Sequence, residues 1–211
     1  MVKAKINKVI RKMIQADLIF VSAFGLIAPI FAIFITDQIK GGDVRVVGFA
    51  AAIYWILKSL LQLPIGRYLD KNVGEKDDFY FVIIGYFLAT LVPLGYIFSY
   101  LPWHIYTLQT LYAIGMGMAI PGWAAIFTRH IDKGKEAFEW SLESTAIGLG
   151  TGITGAIGGI LASKFGFNLV FIIVATVAFM GTILLLTIRK NVFLRGDHHL
   201  YVPKIKKPSS L

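Results

Sequence analysis

The chain has 211 residues, of which 56% are hydrophobic and only 16% charged, and its mean hydropathy is +0.70. A soluble domain carries about 25% charged residues, so an ordinary water-soluble fold is excluded. The net charge of +9 would point to nucleic acid in a soluble protein, but here the charges flank apolar blocks and have a simpler role as topology signals.

The blocks run in order along the chain. Residues 18–36 hold no charge and predict a first membrane helix, preceded by a basic segment, residues 1–17, with Lys3, Lys5, Lys8, Arg11 and Lys12. Residues 46–69 predict a second, interrupted by Lys58 and Arg67. Residues 79–100 and 103–128 are free of charge and predict the third and fourth. Residues 141–163, with Glu143 near the start, and residues 167–188 predict the fifth and sixth. Blocks of about 20 apolar residues suffice to cross about 30 Å of hydrocarbon as helix. Backbone in lipid must bond internally, and the alternation of a barrel strand is absent. The sequence therefore predicts an all-α integral membrane protein with six transmembrane helices over residues 18–188 and a basic tail over residues 189–211. The short connections predict antiparallel packing of neighbours in one compact domain.

Basic residues gather before helix 1, in the connections between helices 2 and 3 and between 4 and 5, and after helix 6. The positive-inside rule then places both termini in the cytoplasm, in a cell (plasma or inner) membrane. The first block is too long for a cleaved signal. There is no cysteine, so thiol chemistry is excluded. No Gly-x-Ser-x-Gly element occurs, the acids are scattered, and His198-His199 lie in a tail. An enzyme, a metal site and a cofactor are not expected.

Certain residues invite a function. Lys58 lies 12 residues before Asp70, about 18 Å along a helix, and so near mid-membrane. A lysine there costs about 2.5–3.5 kcal/mol and should face protein or water. Trp55, Lys58 and Gln62 share one helix face, Gln109, Tyr112 and Met116 form a similar stripe on helix 4, and Ser22 on helix 1 is expected to join them. A fixed positive charge among them favours an anionic substrate. On helix 5, Gly148, Gly152, Gly155 and Gly159 share a face, with Gly150 and Gly158 nearby. Such a face either packs inside the bundle or offers a surface on which another bundle slides.

After helix 2 the chain reads Gly66-Arg-Tyr-Leu-Asp70-Lys71-Asn-Val-Gly74-Glu-Lys76. Gly-x-x-x-Asp-Lys, then Gly and a basic residue, resembles the loop signature of the major facilitator superfamily, with Asn72 and Val73 where that family has one residue. Gly115-Met-Gly117 followed by Pro121 resembles its fourth helix, with Leu111 in place of an arginine found there in proton-coupled antiporters. Gly155-Ala-Ile-Gly158-Gly159 followed by Gly166-Phe167 resembles its fifth helix and the turn into the sixth. The resemblance covers the amino-terminal six-helix half only.

A full member has two such halves related by an axis along the membrane normal. The resemblance implies a small-molecule transporter completed by a parallel homodimer or by a second six-helix half, with the lipid bilayer as its surroundings. It implies a central path lined by helices 1, 2, 4 and 5. It also implies an inner gate at Gly66, Asp70, Lys71 and Gly74, with Arg129 as the nearest counter-charge to Asp70. The alternative is a non-transporting accessory subunit that retains the half-transporter fold.

Overall fold

A break in the first apolar block sets the shape of one end of the bundle. Pro29 cannot donate a backbone hydrogen bond, and its ring clashes with the carbonyl four residues back. Helix α1 (Lys8–Gly25) therefore stops, and α2 (Phe31–Gln38) resumes after a turn. Within the turn, tight three-residue hydrogen bonds run from the Leu26 amide to Ala23 and from the Ile27 amide to Phe24. The expected single helix over residues 18–36 is thus corrected twice, since it starts at Lys8 and is interrupted at Pro29.

The computed structural model describes residues 6–71 and 74–196. Five helices among them are long and apolar enough to cross a membrane: α3 (Val44–Lys71), α4 (Lys76–Ile97), α5 (Pro102–His130), α6 (Glu136–Phe165) and α7 (Phe167–Leu186), the last apolar stretch continuing to Phe193. No strand occurs among the described residues. The all-helical expectation holds, while a sixth continuous span does not appear.

The sequence explains where the elements stop. Asp43 precedes α3, where its Oδ1 accepts the Val46 amide at 3.0 Å. That bond, followed by the one from Arg45, holds the Asp43 carboxyl below the usual carboxylate range. Gly166, at φ 80°, makes the whole turn between α6 and α7. At the other end of the bundle, Asn7 Oδ1 accepts the Val9 amide at 2.8 Å, and Asn7 Nδ2 donates to the His130 carbonyl at 3.2 Å. One side chain thus caps α1 and ties it to the end of α5. Asn7→Ala is expected to lower stability by about 1 kcal/mol, read as an earlier thermal unfolding transition in detergent. An unchanged transition would show that neither bond matters.

Helix α5 is gripped by α4 on one side and α3 on the other, while α7 packs on α1 and α4, and α6 lies on α1. One of the tightest crossings is α4 on α5. A Cβ at Gly85 would strike the Gly115 carbonyl and Ala119, and one at Gly115 would lie 2.6 Å from the Gly85 carbonyl. Backbone meets backbone there, which only glycine permits. Aromatic rings fill the core near α2, where Phe34, Tyr96 and Phe171 meet with centroids 4.8–5.9 Å apart.

Burial is uneven, and that unevenness bears on function. In their most apolar stretches α4, α5 and α7 are 44%, 50% and 44% buried, but α3 only 17% and α6 only 6%. After α7, the short helix α8 (Arg189–Gly196) turns back onto α4, with Val192 fully buried and the Phe193 ring 5.6 Å from Phe79. The basic tail expected from residue 189 is therefore helical and packed at its start. Lys204, Lys206 and Lys207 lie outside the described residues.

Candidate functional site

A cleft of about 310 Å³ opens where the α1–α2 break faces α3, α4 and α5. Phe24, Ile27, Ala28 and Phe31 line it from the broken segment, Ala51, Tyr54 and Trp55 from α3, Tyr96 from α4, and Gln109 and Tyr112 from α5. The Pro29 break lets α1 and α2 present these side chains while their ends still pack in the core. Tyr112 sits between Phe24 and Tyr54, nearly parallel to both, at 5.0 and 4.8 Å between ring centres. Stacking of this kind holds flat rings rigid without covering them. Gln109 donates from Nε2 to Tyr96 Oη at 3.2 Å, so its amide is fixed and its remaining capacity is defined. The lining carries no charged side chain.

The sequence-derived pathway residues divide here. Trp55, Gln109 and Tyr112 line the cleft, while Lys58, Gln62 and Ser22 do not. Lys58 is buried at 8% exposure, with its ammonium 3.7 Å from the Trp55 ring centre and 5.2 Å from that of Tyr54. It is held by cation–π attraction behind the cleft's wall. Gln62 is half-buried on α3. Ser22 belongs to the seam between α1 and α6, opposite Gly150.

Toward the end where α3 leads into α4, Gly66 meets Pro121 at van der Waals distance, where α3 rests on α5. Asp70 and Lys71 are exposed, and Gly74 turns the chain at φ 122°. Arg129 is not the counter-charge of Asp70. Its guanidinium bonds the carboxylate of Asp78, which is fully buried in the first turn of α4. Asp78 comes within reach because α5 extends past the expected boundary at residue 128. Beside it, buried His130 donates from Nδ1 to the Ile126 carbonyl at 2.9 Å and lies 3.7 Å from the Glu75 carboxylate.

The glycine stripe of α6 also divides. A Cβ at Gly148, Gly152 or Gly159 would meet open space, and one at Gly155 only ordinary contacts at 3.7–3.8 Å. The close packing inside the bundle comes from Gly150, against Ser22 and Leu18, and from Gly158, against the Leu26 backbone.

Sequence reasoning missed Asp17. This acid is 6% exposed on α1 and accepts a hydrogen bond from the Tyr86 hydroxyl of α4. Its signal was present, since an acid precedes the apolar block by one residue, but the block's assumed start at residue 18 placed it outside the helix.

Comparison with known proteins gives this arrangement a family. The Major Facilitator Superfamily description matches residues 17–200. The multi-drug resistance efflux pump PmrA homolog of Lactococcus lactis subsp. lactis (strain IL1403) is 30% identical over 165 residues, covering 77% of this chain and 40% of that protein. The crystal structure of the POT family transporter PepTSo superposes with a TM-score of 0.68 at 15% identity, covering 90% of this chain and 39% of that one. That likeness is one of fold. The chain thus spans about two-fifths of the length of the relatives it matches. Its family, shared with transporters and not with enzymes, is the Major Facilitator Superfamily, to which the chain belongs.

Proposed function

We propose that this chain is one half of a membrane transporter for a small solute, and that a second copy in the same orientation completes it. The observation that carries the reading is the pair of open helices. α3 and α6 are scarcely buried, and three glycines of α6 face empty space. The matched relatives are about twice as long, which supports a second bundle against those two helices. In this reading α1–α2 together make a sixth crossing, so both termini lie on one side. The charge bias makes that side the cytoplasm. An even number of crossings lets two copies pair with parallel orientation around a two-fold axis, and Gly66, Asp70, Lys71 and Gly74 then face the partner's inner helix ends.

The cleft sets the kind of solute. Its walls are aromatic, with one fixed amide and tyrosine hydroxyls, which suits a flat apolar molecule with a hydrogen-bonding edge. The preference for an anion expected from Lys58 is not carried forward, because its ammonium lies against Trp55 outside the lining. The related efflux pump named for multi-drug resistance agrees with an aromatic site.

The test is uptake of a flat lipophilic dye by proteoliposomes carrying the full chain. Tyr112→Ala removes a ring stacked on two others and is expected to weaken dye binding by roughly 2- to 12-fold, the equivalent of about 0.5–1.5 kcal/mol. Uptake no greater than in empty liposomes across a panel of dyes would contradict the reading.

A further inference from the structure

Lys58 is a buried cation held one ring's thickness behind the wall of the cleft. Its ammonium lies over one face of Trp55, 3.7 Å from the ring centre, and 5.2 Å from the centre of Tyr54. Both rings line the cleft, while Lys58 itself does not. A cation is drawn to a ring face by the ring's negative quadrupole, and the attraction is strongest away from water. One face of Trp55 is thus taken by Lys58. The residue remains 59% exposed, so its other face is open to a ring that enters the cleft.

Among the described residues no acid forms an ion pair with Lys58. Its carbonyl and the Leu61 side chain rest on α5 at Gly117, and α5 contains no aspartate or glutamate. Along α3 the nearest acids are Asp70, 12 positions on, and Asp43, 15 positions back, about 18 and 22 Å away along a helix. Elsewhere in the bundle, Asp17 accepts from Tyr86, and Asp78 holds Arg129. The ammonium therefore stands beside the cleft as a positive charge balanced by ring faces, and its field reaches through them.

We propose that Lys58 determines the charge of the solute: the cleft takes uncharged flat aromatic molecules and rejects cations of the same shape. A ring stacked on the free face of Trp55 sits about 3.5 Å from it, which puts a charge on that ring about 7 Å from the ammonium. Like charges at that distance near a protein surface weaken binding by roughly 10- to 50-fold. The cation also finds the Trp55 quadrupole already engaged by Lys58. An anion feels the opposite field but meets no charged side chain in the lining, and Gln109 already gives a hydrogen to Tyr96. Its loss of water goes largely uncompensated. An uncharged ring meets neither obstacle. This charge filter deepens the transport reading and rests on it for the identity of the solute.

The test is binding of three dyes with one ring system to the full chain in mild detergent at neutral pH. They are acridine, uncharged there, N-methylacridinium, a fixed cation, and acridine-9-carboxylate, an anion. Binding is read as quenching of Trp55 emission, isolated by subtracting that of Trp55→Phe protein. The wild type is expected to bind acridine at least about 10-fold more tightly than N-methylacridinium, and more tightly than the carboxylate. Lys58→Met, which keeps the length and drops the charge, is expected to close the gap between acridine and the cation. Lys58→Arg, which keeps the charge, is expected to preserve it. A lysine with a structural role alone would, on substitution, weaken all three dyes together and leave the gap in place. A wild type that binds none of the dyes, or binds the cation as tightly as acridine, overturns the filter. So does a gap unchanged in monodisperse Lys58→Met protein, and Lys58→Gln supplies the same comparison if the methionine variant does not fold. Dye uptake by proteoliposomes separates the two readings. A gap that closes in Lys58→Met protein while no dye is transported overturns transport and upholds charge selection in the cleft.

Discussion

Gly85→Val is expected to unfold or severely loosen the bundle, whereas Gly152→Val should leave it standing. At Gly85 a Cβ runs into the Gly115 carbonyl and lies 2.8 Å from the Ala119 Cβ. The obstacle is largely backbone, so no rotamer change relieves it, and α4 must move off α5. Overpacking of this kind costs about 1–3 kcal/mol, and because α4 and α5 form the most extensive helix contact of the bundle this case lies at the upper end. At Gly152 nothing lies within 4 Å, and valine is a slightly better helix former than glycine, by a few tenths of a kcal/mol. Thermal unfolding of both variants in mild detergent checks the contrast. Equal shifts would show that the two glycines occupy similar surroundings.

Arg129→Ala is expected to be the other costly change, at about 2–3 kcal/mol. Asp78 is fully buried, its Oδ2 receives the Arg129 guanidinium, and its Oδ1 has no hydrogen-bond partner. Removing the arginine strands a buried carboxylate, which in a fully buried pair costs about 3–5 kcal/mol. Arg129 is 37% exposed, and water can partly replace it, which lowers the figure. The position of Asp78 in the first turn of α4 returns some stabilisation through the helix dipole. Asp78→Asn, which removes the charge, should rescue Arg129→Ala in part. A double-mutant cycle with strictly additive effects would mean that the pair does not interact.

Much of this fold is legible from hydropathy because lipid imposes a simple demand on each backbone segment. Five of the expected helices lie where apolar blocks of sufficient length predict them, from α3 to α7. The first was misjudged because charge was used to mark its start. Lys8, Arg11, Lys12 and Asp17 look external in a hydropathy reading, yet the helix begins at Lys8 and buries Asp17. A partner group on another helix, here the Tyr86 hydroxyl, makes such burial tolerable, and no local pattern announces it. The Pro29 break follows from the chemistry of proline alone and was open to prediction.

Side-chain roles were less legible than helices. Lys58, expected to face inward, is buried, but its partner is the ring of Trp55, a neighbour on its own helix. The stripe assignment put both in one pathway, while the bundle puts one in the cleft wall and the other behind it. The family pattern matches Arg129 to Asp70 by proximity, whereas a few further helical residues at the ends of α5 and α4 bring it to Asp78. The glycine periodicity on α6 was real, but periodicity does not say which side faces the bundle. Gly150 and Gly158 pack, while Gly148, Gly152 and Gly159 face outward.

The account turns on whether α3 and α6 meet a second bundle. The most direct measurement is the native mass of the purified chain released from mild detergent. The account predicts a species of twice 23.4 kDa that dissociates in Gly152→Trp protein, whose new ring would occupy the open face. A wild-type chain that remains at 23.4 kDa under every mild condition would contradict it.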